Sequence, residues 1–219
     1  MKLKKIASLA LAGIMAVSML AGCKDGTNQE DPSSSSQVPT TTNVVTYAND
    51  ALTDAQKNVY TFHDNSALNQ ALQAVATDKN KCTATKIENA YTVYNWDNDS
   101  DLRADVKGKL DGGLTFKDDY GTFDDGSVPA NNGKTLNYIE VSLLSGELSE
   151  KAVAEATATY FAKYMGQLAD AATENGVKYA LSYSADISAI KVESPQNSAK
   201  TAWVVAVMIT KTATQQVNA

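Results

Sequence analysis

The run Asp97-Asn98-Asp99-Ser100-Asp101 is the closest this chain comes to a ligand set. Alternate carboxylates can converge on a hard cation, and an all-oxygen donor set of this kind suits calcium. As an EF-hand loop the run departs twice: Leu102 stands where the sharp turn needs glycine, and Gly108 where a bidentate glutamate belongs. What remains is a calcium loop of another type, completed by Asp105 or Asp111, set against a plain solvated acidic turn. Calcium is the only cofactor the sequence suggests. Tyr91, Tyr94 and Trp96 lead straight into this loop. An aromatic stacking face beside carboxylate acceptors suits a sugar, which makes Tyr94 and Trp96 the candidate ligand-binding residues. Ordinary packing is the competing reading, because Tyr and Trp bury well with only their polar tips wet. The paired acids Asp118/Asp119 and Asp124/Asp125 could act as glycosidase carboxylates only at a separation that sequence does not supply.

Catalytic sets are scarce. His63 is the only histidine, which rules out zinc sites built from two or three imidazoles. A dyad of His63 with Cys82, or a triad with a serine, is not excluded by counting. However, no Gly-x-Ser-x-Gly elbow accompanies it, and its position between a helix end and the next cap reads as a surface or capping histidine. Gly133-Lys134-Thr135 mimics the end of a P-loop, but Val128 occupies the first glycine position, so a turn into a strand is expected. Ser188-Ala189-Ile190-Lys191 spells Ser-x-x-Lys in strand context, without the Ser-Asp-Asn and Lys-Thr-Gly motifs that accompany that tetrad.

The amino terminus bears on location. Lys2, Lys4 and Lys5 precede an uncharged run from Ile6 to Leu20, and Leu20-Ala21-Gly22-Cys23 follows before polar sequence resumes at Lys24. The apolar run, about 15 residues, is long enough for a signal h-region but short of the roughly 20 that span a bilayer. These residues resemble the lipobox of bacterial lipoproteins. The resemblance covers residues 1 to 23 only and implies a signal peptide over 1–22, diacylglyceryl transfer to the Cys23 sulfur and cleavage before it. The expected location is therefore the extracytoplasmic face of the cell membrane, held there by lipid. Acylation of Cys23 would leave Cys82 as the only thiol, so no intramolecular disulfide forms. Cys82 itself reads as a small buried hydrophobe beside a strand.

Composition narrows the partners. Three of the 19 basic residues lie in the leader and none of the 25 acids does, so the chain beyond it carries 25 acids against 16 bases. Arg103 is the only arginine, and the lysines are scattered. Nucleic acid is disfavoured, since its recognition depends on clustered cations and bidentate arginine. An acidic domain gains nothing from an anionic membrane surface, so the lipid must do the anchoring. The remaining partners are an envelope protein or a glycan.

The elements that must position these residues follow from patterning. Residues 23–46, with Pro32, Ser33 to Ser36, Pro39 and Thr40 to Thr42, have almost nothing to bury and read as a disordered tether of about 25 Å. A single domain is expected over 47–214, with a tail at 215–219. Thr53-Asp54-Ala55-Gln56 has capping-box form and should open a short helix carrying Val59 and Phe62. A second helix is expected from Ser66 to Asp78, with Leu68, Leu72 and Val75 on one stripe. Thr83 to Asn95 alternates as a half-buried strand, and 97–126 reads as a long, acidic, partly irregular excursion. Lys134 to Leu144 resumes a strand. Ser149 caps a helix carrying Val153, Ala156, Tyr160, Tyr164 and Leu168 that Gly176 closes. A strand from Tyr179 follows, with a bulge or bend signalled by Ile190 and Val192. After a turn at Pro195-Gln196-Asn197, Ala202 to Ile209 is apolar on both faces and should be central.

The fold class is therefore α+β: an antiparallel sheet of about four strands with two main helices on one face, in an order compatible with a duplicated αββ unit. The expected function is a lipid-anchored, non-catalytic binding module acting through the acidic excursion. The alternatives are a structural or assembly factor of the envelope and, behind it, a hydrolase acting on wall or glycan.

Overall fold

The computed structural model describes residues 43–90, 96–110, 112–120, 128 and 135–216. Cys23, the leader, the segment up to residue 42, Tyr91 and Tyr94 lie outside the described residues. The core starts from one strand. In β5 (Thr201–Gln215) both alternating sets are apolar: Trp203, Val205, Val207 and Ile209 on one side, Ala202, Val204, Ala206 and Met208 on the other. Successive strand residues point to opposite faces, so such a strand is satisfied only with cover on both. It lies, as expected, in the interior of the sheet, antiparallel to β4 (Val177–Glu193) on one edge and to β2 (Thr135–Ser145) on the other. The outer edge of β4 takes two short partners, β3 (Ala171–Glu174) antiparallel and β1 (Phe62–His63) parallel. Asn175 and Gly176, both at positive φ (52° and 79°), make the two-residue turn from β3 to β4.

The described residues form six helices, α1 (Val44–Asp50), α2 (Asp54–Lys57), α3 (Ser66–Ala76), α4 (Ala84–Glu88), α5 (Ser100–Lys109) and α6 (Glu150–Met165), and all but α2 bury residues against the sheet. Val44 and Ala48 of α1 join Val153, Ala154, Ala158, Phe161 and Met165 of α6 in a core with Tyr138, Leu144, Ile187 and Val207. On the opposite face Leu68, Leu72 and Val75 of α3, Ile87 of α4, and Leu102 and Val106 of α5 pack with Ile139, Val141, Leu143, Ile190 and Met208. The described elements all belong to one compact unit, Gln37–Ala219. The class is α+β with a single open sheet. In detail, among the described residues the sheet has five strands rather than four, the β1–β4 pairing is parallel, and helices cover both faces rather than one. The two-sided burial of β2, β4 and β5 is the reason.

Several expected elements are corrected. Helix α1 starts at Val44, inside the segment read as tether, and its Val44 and Ala48 bury against α6. Thr53 and Gln56 do form a capping box, but α2 stops at Lys57; Val59 lies beyond it and Phe62 enters β1. The start of the supposed strand at Thr83 to Asn95 is α4: the Thr83 hydroxyl accepts from the Lys86 amide, and this local bond wins over the period-two pattern. Residues 91–95 of that expected strand lie outside the described residues; among the described ones the order from α3 to β2 is helix, helix, helix, strand, which does not match an αββ unit. A third of the acidic excursion is α5, whose Leu102 and Val106 lie four apart on its buried face, with Leu110 buried four residues further on at its C-cap.

Ser149 caps α6 as expected, but the helix ends at Met165 with Gly166 as its cap, and Gly176 belongs to the β3–β4 turn. Its buried stripe runs through Val153, Ala154, Thr157, Ala158, Phe161 and Met165, which leaves Tyr160 and Tyr164 on the flank. No bulge interrupts β4, which pairs in unbroken register from Tyr179↔Gln215 to Glu193↔Thr201; Ile190 and Val192 face the second core. Two segments bond the free edge of β2. Asp99 donates its N–H to the Val141 carbonyl at 2.7 Å, the Val141 N–H donates to Asn98 Oδ1 at 3.1 Å, and Thr115 and Lys117 bond the backbone of Asn137. Covering an edge in this way keeps it from pairing with another chain.

Candidate functional site

The segment Trp96–Asp99 passes over the edge of β2, with Trp96 packed in the α6 core and the next residues entering the opposite face. There, between α4 and the start of α5, lies a cleft of about 280 Å³ lined by Lys86, Asp97, Asn98, Asp99, Ser100, Asp101 and Leu143. Lys86, Asp99 and Leu143 are shared with a second lobe of about 230 Å³ that adds Thr85, Asn89 and Ala90.

Local capping builds the cleft. Asp99 is the N-cap of α5: its Oδ1 accepts the amides of Asp101 and Leu102 at 3.1 and 3.0 Å. Its Oδ2 receives the Lys86 ammonium at 2.5 Å, and Asp101 Oδ2 stands 3.7 Å from the same nitrogen. Three of the four proposed calcium ligands, Asp97, Asp99 and Asp101, therefore line one cleft without converging on a point, and the Lys86 ammonium stands between two of them. A divalent ion would have to displace it. Asp105 is placed apart, bonded by Lys81 at 2.7 Å; that carboxylate, by hydrogen bond and charge, holds the Lys81 ammonium above its ordinary pKa. Asp111 lies outside the described residues, among which no three His, Cys, Asp or Glu side chains are grouped to hold a metal.

Trp96 is packed rather than free. Its ring stacks on Tyr160 (centroids 5.3 Å apart, 22° between planes) and meets Phe161 edge-on, while Nε1 donates to Glu140 Oε2 at 2.7 Å. Glu140 is 6% exposed, and the Tyr138 hydroxyl donates to its other oxygen. Burial is the largest cause that pushes the phenols of Tyr138 and Tyr160 far above the usual tyrosine range, followed by Glu140 for Tyr138 and by the hydrogen bond with Tyr164, then Glu140, for Tyr160, so both stay protonated. Tyr120 extends the cluster, edge-on to Tyr138 and tilted against Tyr164, whose carbonyl accepts its hydroxyl at 3.2 Å. Glu140 was missed in the sequence, although a signal was present: it is the only charged residue between Thr135 and Ser145.

The remaining candidates are dispersed. His63 is exposed on β1, its Nε2 3.1 Å from Thr61 Oγ1, and the cap of α3 is Asn65. Asn65 also bonds Asp186 at 2.7 Å, and burial raises the Asp186 carboxyl above its ordinary pKa. Cys82 is buried, as expected, although it stands just before α4 rather than beside a strand. Desolvation lifts its thiol to about 11, which keeps it unreactive. Ser188 and Lys191 are three apart on β4 and therefore on opposite faces, so they cannot form a dyad. The Asp118 carboxylate is bonded by Lys107 at 2.7 Å, which holds it below the usual range. Gly133, Lys134, Asp124 and Asp125 lie outside the described residues. Comparison with protein-family models, with curated proteins and with solved structures gives no match.

Proposed function

We propose that this chain is a lipid-anchored recognition module on the outer face of a bacterial membrane, binding a small polar, hydroxyl-rich ligand such as a wall glycan in the cleft between α4 and α5. The observation that carries the binding part is the lining of that cleft. The Lys86 ammonium and the Asn98 and Ser100 side chains can donate, and Asp97 and Asp101 can accept, all around one small concavity. Interleaved donors and acceptors of this kind suit vicinal hydroxyls, which both give and take hydrogen bonds. Support for the location comes from the lipobox resemblance at Leu20-Ala21-Gly22-Cys23. The chemistry is recognition rather than turnover: the best-placed acid of the cleft, Asp99, is already committed to a helix cap and an ion pair.

The test is thermal shift on the mature lipoprotein in detergent, with a β-1,4-linked N-acetylglucosamine tetramer as probe. A rise in Tm is expected, and it should vanish in the double variant Asp97→Ala/Asp101→Ala without a fall in the ligand-free Tm. Calcium at millimolar concentration is expected to leave Tm unmoved, because Lys86 holds the centre of the acids. An unchanged Tm with the tetramer would remove the glycan reading, and a calcium-induced rise would restore the metal one.

A further inference from the structure

Glu140 is a carboxylate buried on β2 that, among the described residues, forms no ion pair with a lysine or arginine; the groups bonded to it are neutral, the Trp96 indole and the Tyr138 hydroxyl, with the Tyr160 phenol also against it. Burying a carboxylate without a cation is costly even when it is hydrogen-bonded. What it holds in return is the start of the segment that carries the cleft acids. Trp96 is fixed on one face of the sheet by Glu140, Tyr160 and Phe161. Two and three residues on, Asn98 and Asp99 bond the backbone of Val141, the very next residue of β2 after Glu140. Four residues therefore cross the strand edge with an anchor at each end, and Asp97 sits between the anchors.

We infer that Glu140 is a positioning residue for the cleft: through the Trp96 indole N–H it fixes where Asp97 and Asp101 present their carboxylates to a ligand. The inference rests on the proposed binding role of that cleft. Its geometric part does not, because the Trp96 bond to Glu140 and the bonds at Val141 stand whatever the cleft takes.

Three variants of the mature lipoprotein separate these parts. Glu140→Gln keeps an oxygen for the indole N–H, Glu140→Leu removes it at similar bulk, and Trp96→Phe removes the donor while leaving an aromatic ring against Tyr160. Two readouts are taken: hydrogen exchange of the Asp99 amide, and affinity for the N-acetylglucosamine tetramer. In Glu140→Leu and Trp96→Phe the Asp99 amide is expected to exchange about tenfold faster and the tetramer to bind about tenfold more weakly, as losing one such bond predicts, with Glu140→Gln close to the parent in both. If Glu140→Leu does not fold, Trp96→Phe carries the test. Parent-like exchange at Asp99 in Trp96→Phe overturns the inference, as does a lower Tm with unchanged tetramer affinity. If exchange quickens as expected while the parent itself never binds the tetramer, the anchoring of the segment by Glu140 is upheld and only the glycan reading of the cleft fails.

Discussion

At the scale of single residues, most of the chemistry-bearing side chains are spent on structure. Asp99 caps α5 and neutralises Lys86, Asn65 caps α3 and bonds Asp186, and Trp96 gives its N–H to Glu140. Asp186 yields a prediction with a definite sign. Burial, the largest cause, raises its carboxyl pKa in the folded state, with Asn65 opposing the shift. The native state thus holds the proton more tightly than the unfolded chain, and stability falls as pH rises from about 4, the ordinary value being 3.8, through the folded value. The penalty is complete above that value. Asp186→Asn keeps an oxygen for the Asn65 amide and removes the charge. Its urea midpoint is expected to exceed the parent's at pH 7 and to match it more closely at pH 4; an equal difference at both pH values would contradict this cause.

At the scale of elements, local bonds decided the places where periodicity misled. Thr83 to Asn95 alternates like a strand, yet the bond from the Lys86 amide to the Thr83 hydroxyl starts α4 instead, and Lys86 reaches Asp99 because of it. The opposite error occurred over 100–110. Its high charge and Gly108 suggested a loop, while the spacing of Leu102, Val106 and Leu110 was that of a buried helical stripe. The β2–α6 connection supplies a test at this scale. A Cβ on Gly146 would stand 2.4 Å from the backbone carbonyl carbon of Thr201 and 2.0 Å from its Oγ1. The Gly146 N–H also bonds the Thr201 carbonyl at 3.0 Å, which locks the connection to the start of β5. Gly146→Ala is expected to cost about 1–3 kcal/mol, as overpacking does, measured by urea unfolding. A change below about 0.5 kcal/mol would mean that the two backbones part easily.

At the scale of the whole molecule, a central strand apolar on both faces requires a three-layer arrangement, and the helices comply: α1 and α6 on one side, α3, α4 and α5 on the other. Among the described residues no helix is long and apolar enough to cross a membrane. The proposed reading attaches the chain through lipid on Cys23. Cys23→Ser should move the chain from the detergent phase to the aqueous phase on temperature-induced partitioning of cell extracts, and lose the acyl mass found on the parent. Equal partitioning of both forms would refute lipid attachment at Cys23.

Sequence alone determined what depends on neighbours along the chain: the capping residues Thr53 and Ser149, the helix stripe of Leu68, Leu72 and Val75, and the two-sided apolar character of β5. Those features are set by short-range hydrogen bonds and by repeat lengths of two or 3.6 residues, and both are written in order. Tertiary structure decided which of the two competing patterns at Thr83 prevailed, that helices cover both faces, and that Lys86 enters the acidic run while Glu140 holds Trp96 from 44 positions away. A carboxylate's partner depends on which strands and helices come side by side, and pairings between distant segments leave no periodic trace in the order of residues.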